Sequence, residues 1–249
     1  MFDIHSYFGA GLIPGTANSP AAVTAAMEER AVDEAVLMSN HARYVDPLAG
    51  NRILRKVVEH SPKLHGCVIT HVNRVDSSVS AMREQMGMRK FVAMAIAPSR
   101  RDEPVTKIVA DEIINAYRRY SKPLFLYTPN AAYVQAALEI ARGYPALKVV
   151  FLGMGGADWR TAIVAAHTST NVMLETSGAL DRAKLPAAVE AIGAHRILFG
   201  SGTPRVDAAA AAGLIEDSAL SDDARRKILI DNARRLFRLD ADSEPPEED

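Results

Sequence analysis

The chain has one cysteine and one tryptophan, aromatics make up 6% of it, and neither sign of charge dominates. Each scarcity excludes something. Cys67 alone cannot close an intrachain disulfide, which removes the secreted disulfide scaffolds, and one thiol cannot build a thiolate zinc site. The 29 basic residues stand against 30 acidic ones. The cationic excess that grips a phosphate backbone is therefore missing, and no nucleic-acid partner is expected. No apolar run approaches the ~18–20 residues of a membrane-spanning helix. The opening Met1-Phe2-Asp3-Ile4-His5 places an acid and a histidine where an export signal carries basic residues and then an apolar stretch. The expectation is a cytoplasmic protein with no membrane partner.

What is present suffices for a full core. Hydrophobic residues make up 48% of 249 positions, enough for one medium-to-large domain. One segment departs from the rest. Residues Asp240 to Asp249 carry six acids, two adjacent prolines and no base. Without them the body has 29 basic and 24 acidic residues, a balance of +5. The reading is a single domain over 1–239 and a solvated, disordered acidic tail over 240–249.

Short β-branched runs alternate with longer alanine-rich amphipathic segments along the whole body. The runs predict strands at Phe2–His5, Glu34–Met38, Leu64–Thr70, Lys90–Ala95, Pro123–Tyr127, Lys148–Leu152, Asn171–Glu175 and Arg196–Gly200. Helices are predicted at Pro20–Arg30, Pro47–Glu59, Asp76–Met86 and Pro104–Tyr120, then at Asn130–Arg142, Trp159–Thr168, Leu185–Ile192 and Asp222–Phe237. Ser19 before Pro20 and Ser221 before two aspartates read as helix starts, as does Glu103 before Pro104. Near-continuous apolar strands such as Val149-Val-Phe-Leu152 suit a parallel sheet buried on both faces. Eight βα units in about 250 residues have the size of a (β/α)8 TIM barrel. The alternative, an open doubly wound sheet, would open on a glycine-rich phosphate turn, and Gly9-Ala-Gly11 lacks the third glycine.

In a barrel the chemistry stands at the C-terminal ends of the strands. Those ends carry His5-Ser6-Tyr7, Ser39-Asn40-His41, Thr70-His71, Tyr127-Thr128, Gly153-Met-Gly-Gly156, Glu175-Thr176 and Gly200-Ser-Gly-Thr203. Several longer segments add to this: Phe2-Asp-Ile-His5, Asn171-Val-Met-Leu-Glu-Thr-Ser-Gly178, His195-Arg-Ile-Leu-Phe-Gly-Ser-Gly-Thr-Pro204 and Asn232-Ala-Arg-Arg-Leu-Phe-Arg-Leu239. With these segments the chain resembles the amidohydrolase-related family, the branch of metal-dependent hydrolases and decarboxylases that act on small carboxylate and aromatic substrates. The resemblance runs from residue 2 to about 239.

Set against that family, four of five expected metal or catalytic positions differ. The family opens with two histidines around one residue, and here the second position is Tyr7. Its fifth-strand histidine corresponds to Tyr127, its sixth-strand histidine to Gly153, and its eighth-strand aspartate to Gly202. Only His5 remains. A catalytic zinc takes about three protein ligands, a neutral phenol is a poor one, and glycine offers none. The resemblance thus implies a barrel with no metal and no cofactor.

Three readings follow. The leading one is a non-catalytic subunit or small-molecule-binding protein, with a homodimer or an assembly with an active relative as its oligomeric partners. The alternative is a metal-independent hydrolase, lactonase or decarboxylase. Glu175, a carboxylate ending an apolar strand, would act there with His5 or His41 as acid and base. A third rebuilds a metal site from His5, His41, His71 and Glu175, provided that those donors converge. Tyr7, His71, Tyr127 and Arg205 are the candidate ligand-binding residues. Each has a plainer role open to it: His5 as a packed histidine, Glu175 paired with an arginine, the tyrosines as filling, and Arg205 pointing outward.

Overall fold

Repeated apolar runs and amphipathic stretches fold into repeated strand–helix units. The computed structural model describes residues 1–11, 15–98, 100 and 103–239, so the acidic segment 240–249 lies outside the described residues. The strands are β1 (Phe2–Phe8), β2 (Glu34–Ser39), β3 (Leu64–His71), β4 (Phe91–Ala97), β5 (Leu124–Tyr127), β6 (Val149–Leu152), β7 (Val172–Glu175) and β8 (Ile197–Leu198). They pair in sequence order and in parallel throughout. β8 is short, but the chain after it bonds back to β1. Ile4 N–H donates to the Phe199 carbonyl at 3.1 Å, Tyr7 N–H to Thr203 at 3.0 Å, and Gly202 N–H to His5 at 2.8 Å. The fold is a (β/α)8 barrel, as the spacing predicts.

The helices are α1 (Pro20–Glu29), α2 (Asn40–Tyr44), α3 (Pro47–Val58), α4 (Val75–Gln85), α5 (Lys107–Tyr117) and α6 (Ala131–Gly143), then α7 (Trp159–Thr168), α8 (Lys184–Ile192), α9 (Ala208–Glu216), α10 (Asp222–Arg226) and α11 (Asn232–Phe237). Ser19 and Ser221 cap α1 and α10 by accepting from Ala22 and Ala224 N–H at 3.2 Å each. Three expectations need correction. α5 starts at Lys107 and leaves Pro104 in the approach loop, because Thr106 ahead of it is extended (φ −86°, ψ 160°). α2 occupies a stretch for which no element is predicted, where Ser39 Oγ accepts from Ala42 N–H at 3.1 Å and starts a turn. α9 was not expected, since its run of five alanines has little polar–apolar contrast to reveal a period.

Two apolar layers form the core. One lies between strands and helices, and the other fills the barrel with Phe2, Ile4, Val36, Met38, Phe125, Val150 and Leu152. At the bottom, the end where strands begin, Phe237 of α11 packs its ring 5.7 Å from Phe2 and 6.3 Å from Phe125 and plugs the barrel. At the top, β1 changes parity. Its register against β2 slips between Asp3 and Ser6, so three steps on β1 answer two on β2. Below this bulge Phe2 and Ile4 face the interior; above it His5 and Tyr7 face the mouth.

Candidate functional site

The strand ends enclose a cavity of about 190 Å³, lined among others by His5, Tyr7, Arg43, Tyr127, Ser177 and Arg205. Its floor is a buried ion pair. His5 Nδ1 lies 3.1 Å from Glu175 Oε2, and the two side chains are 3% and 0% exposed. Burial of a carboxylate costs free energy unless donors surround it. Glu175 has them: Ser177 N–H at 2.5 Å, Ser177 Oγ–H at 2.7 Å and Gly153 N–H at 2.8 Å. Gly200 is required beside it, because a Cβ there would overlap Glu175 Oε1.

On its other nitrogen, His5 reaches Tyr7. Nε2 stands 3.1 Å from the Tyr7 hydroxyl, which also accepts from Arg43 Nη1–H at 2.6 Å. Burial alone would lower the pKa of His5, but Tyr7 and Glu175 outweigh it and raise the pKa to about 9. The imidazolium then donates from both nitrogens. Burial would raise the Tyr7 pKa, yet Arg43 and His5, with Arg205 behind them, pull it below that of an ordinary phenol. Arg43 cannot accept the Tyr7 proton, and neither can His5 while it is an imidazolium.

Arg43 is held within an aromatic cage, its guanidinium carbon 5.5 Å from the ring centres of Tyr7 and Tyr127 and 5.4 Å from that of Tyr44. A second cation closes the rim, where Arg205 Nη1–H donates to the Tyr127 hydroxyl at 2.6 Å. Two phenols and two guanidiniums therefore alternate around one small opening.

Several residues hold these groups in place. Asp3 is buried and accepts from His5 N–H, Ser201 N–H, Ser201 Oγ–H and Ser6 Oγ–H at 2.6–3.0 Å. It thereby ties β1 to the end of β8. Lys184, also buried, donates to the carbonyls of Thr176 at 2.5 Å and Ala179 at 2.6 Å and fixes the loop that carries Ser177. Burial lowers its pKa to about 8.

The structure brings His5, Glu175, Tyr7, Tyr127 and Arg205 into this one site. His41 and His71 do not join them. His41 sits in α2, whose turn begins directly after β2, and does not line the cavity. His71 ends β3 with its Nδ1 accepting from Asn73 N–H at 3.2 Å, also outside the cavity. The convergence of His5, His41, His71 and Glu175 that a rebuilt metal site requires is absent. Among the described residues no group of three His, Cys, Asp or Glu side chains is placed to hold a metal ion. Sequence reasoning passed over Arg43 and Ser177. Ser177 carries a signal, standing two residues beyond a carboxylate that ends a buried strand; Arg43 lies where no element is predicted and carries none.

The sequence profile of the amidohydrolase family matches residues 4–239. The chain belongs to this family. Among solved structures it is similar to a dihydroxybenzoic acid decarboxylase from Polaromonas sp. JS666, with bound manganese and the inhibitor 2-nitroresorcinol. The identity is 18% and the TM-score 0.72, over 96% of this chain and 97% of that one. It is also similar to a 2,6-dihydroxybenzoate decarboxylase from Rhizobium (16%, TM-score 0.71, 96% and 98% covered). A third is 4-oxalomesaconate hydratase from Rhodopseudomonas palustris (18%, TM-score 0.69, 96% of each chain). At these identities the likeness is one of fold. No curated protein matches the chain in sequence. No helix among the described residues is long and apolar enough to cross a membrane.

Proposed function

We propose that this amidohydrolase-family barrel binds a small, carboxylate-bearing aromatic compound without a metal, as a binding subunit. The observation that carries this is the pair of Tyr–Arg contacts, Tyr7 with Arg43 and Tyr127 with Arg205, facing one cavity. The donor set does not suit a divalent cation. It offers one imidazole with both nitrogens engaged, one carboxylate, Glu175, already bonded by His5, Ser177 and Gly153, two phenols, and glycines at 153 and 202. Arg43 instead supplies fixed positive charge, and a guanidinium pairs naturally with a carboxylate. The aromatic walls suit a planar ring. The solved decarboxylase structures with 2,6-dihydroxybenzoate and 2-nitroresorcinol supply the probes. In chelator-treated protein, 2,6-dihydroxybenzoate should bind saturably, and Arg43→Ala should weaken binding at least tenfold. Absence of binding, or binding only with added manganese, overturns the proposal.

A second reading is favoured by the continuous chain Glu175–His5–Tyr7. In it the protein is a metal-independent hydrolase, lactonase or decarboxylase. Glu175 holds His5 charged, His5 and Arg43 stabilise the Tyr7 phenolate, and Tyr7 moves the proton at the substrate. Glu175 and His5, expected as the acid and base themselves, here support Tyr7, and His41 has no part. Turnover by chelator-treated protein that Tyr7→Phe abolishes would establish it over binding alone.

A further inference from the structure

The bottom of the barrel is cationic, like its mouth, but for a different reason. The helices end there, their terminal carbonyls concentrate partial negative charge, and cations collect to meet them. Lys122 donates to the carbonyls of Met86, Met88 and Phe91 at 2.6–3.1 Å. Arg196 donates to those of Ala166, Ser169 and Val172 at 2.9–3.3 Å. These bonds use the donors but leave the net charge. Arg118, Lys148, Arg235 and Arg238 join them around two adjoining hollows of about 660 and 520 Å³. No carboxylate among the described residues lines either hollow. One acid at the strand-start end, Glu34 of β2, is taken up by His65 and Arg234.

The same face is where the described chain stops. Leu239 packs against the barrel interior layer beside Phe237 and lines the smaller hollow, as does Arg238. The next ten residues carry six acids and no base. We propose that this basic face is an anion-binding site whose resident ligand is the chain's own segment Asp240–Asp249. At ~3.3 Å per residue the segment reaches roughly 33 Å, about three helix diameters, which is enough to cross both hollows. Tethered at the rim, it acts at an effective concentration on the order of mM. Six carboxylates meet six cations that have no carboxylate partner among the described residues, and free polyanions are kept off the face.

The core closes entirely within the described residues, so a chain ending at Leu239 keeps every contact named above. The test uses a fluorescent peptide of sequence 240–249. It should bind the chain ending at Leu239, and at least tenfold more weakly the full chain, whose face is already covered. Binding should weaken at least fivefold between ~50 and ~200 mM salt. Arg118→Glu combined with Lys148→Glu, whose side chains, unlike those of Lys122 and Arg196, hold no helix-end carbonyl among the described residues, should weaken it at least tenfold. Equal binding to both chain lengths, or indifference to the double substitution, overturns the proposal. Carbodiimide treatment of the full chain should join a tail carboxylate to Lys148 within one molecule. Joining only between two molecules overturns it as well.

Discussion

His5 and Glu175, 170 residues apart in sequence, meet as an ion pair at 3.1 Å with almost no exposure to water. Breaking such a pair strands the remaining charge, which costs about 3–5 kcal/mol. Glu175→Gln should therefore lower stability by that order in denaturant unfolding at pH 6. The sign of the pH dependence follows from the raised His5 pKa. The pair's contribution is complete below pH 6.5 and is lost as pH rises through about 9. The gap between wild type and Glu175→Gln should shrink across that window, by only the part of the shift that Glu175 and not Tyr7 supplies. Unequal slopes below pH 6 instead would contradict it.

Tyr7 should ionise ahead of the protein's other tyrosines. The ultraviolet absorbance of phenolate in a pH titration should show one early step, absent in Tyr7→Phe. Arg43→Met, which removes the first-ranked charge acting on it, should move that step to higher pH.

Arg43 and Arg205 differ in enclosure, since the first lies in a cage of three rings and the second at an exposed rim. Binding of an aromatic carboxylate should fall at least tenfold on Arg43→Ala. Arg205→Ala should cost less, on the order of 1 kcal/mol or under, with a salt-sensitive remainder. Titration calorimetry at two ionic strengths separates the two.

Glycine matters at two positions for different reasons. Gly200→Ala puts a methyl group into Glu175 and should destabilise by about 1–3 kcal/mol through overpacking. Gly202 has φ +72°, with only Ser177 and His5 near the place of a Cβ. Gly202→Asp therefore meets strain and not collision, about 1–2 kcal/mol. Its carboxylate should not confer manganese binding, because the other family positions still lack donors.

The barrel was legible because its cause is local. Eight apolar runs and the helices between them can be read from period and caps, and the eight strands stand where those runs predict them. The floor of the site was half legible: Glu175 announced itself as a charge ending a buried strand, and His5 by its place at the first strand's end. Arg43 was not, since nothing in its neighbourhood tells that three tyrosines from two other strand ends and α2 itself will enclose it. His41 and His71 illustrate the converse. They sit at the correct end of their strands, but His41 is taken into α2 and His71 is bonded by Asn73 N–H, so neither lines the cavity, and sequence position alone does not give this.

The bulge in β1 separates two tasks that one strand would otherwise share. Phe2 and Ile4 below it answer only to the packing of the barrel interior, while His5 and Tyr7 above it answer only to the mouth. Reshaping the lower half for stability leaves the upper half aimed as before. Deleting the extra residue would turn His5 and Tyr7 into the wall and bring Ser6 to the opening. The chemistry of this barrel hangs on a single additional peptide unit.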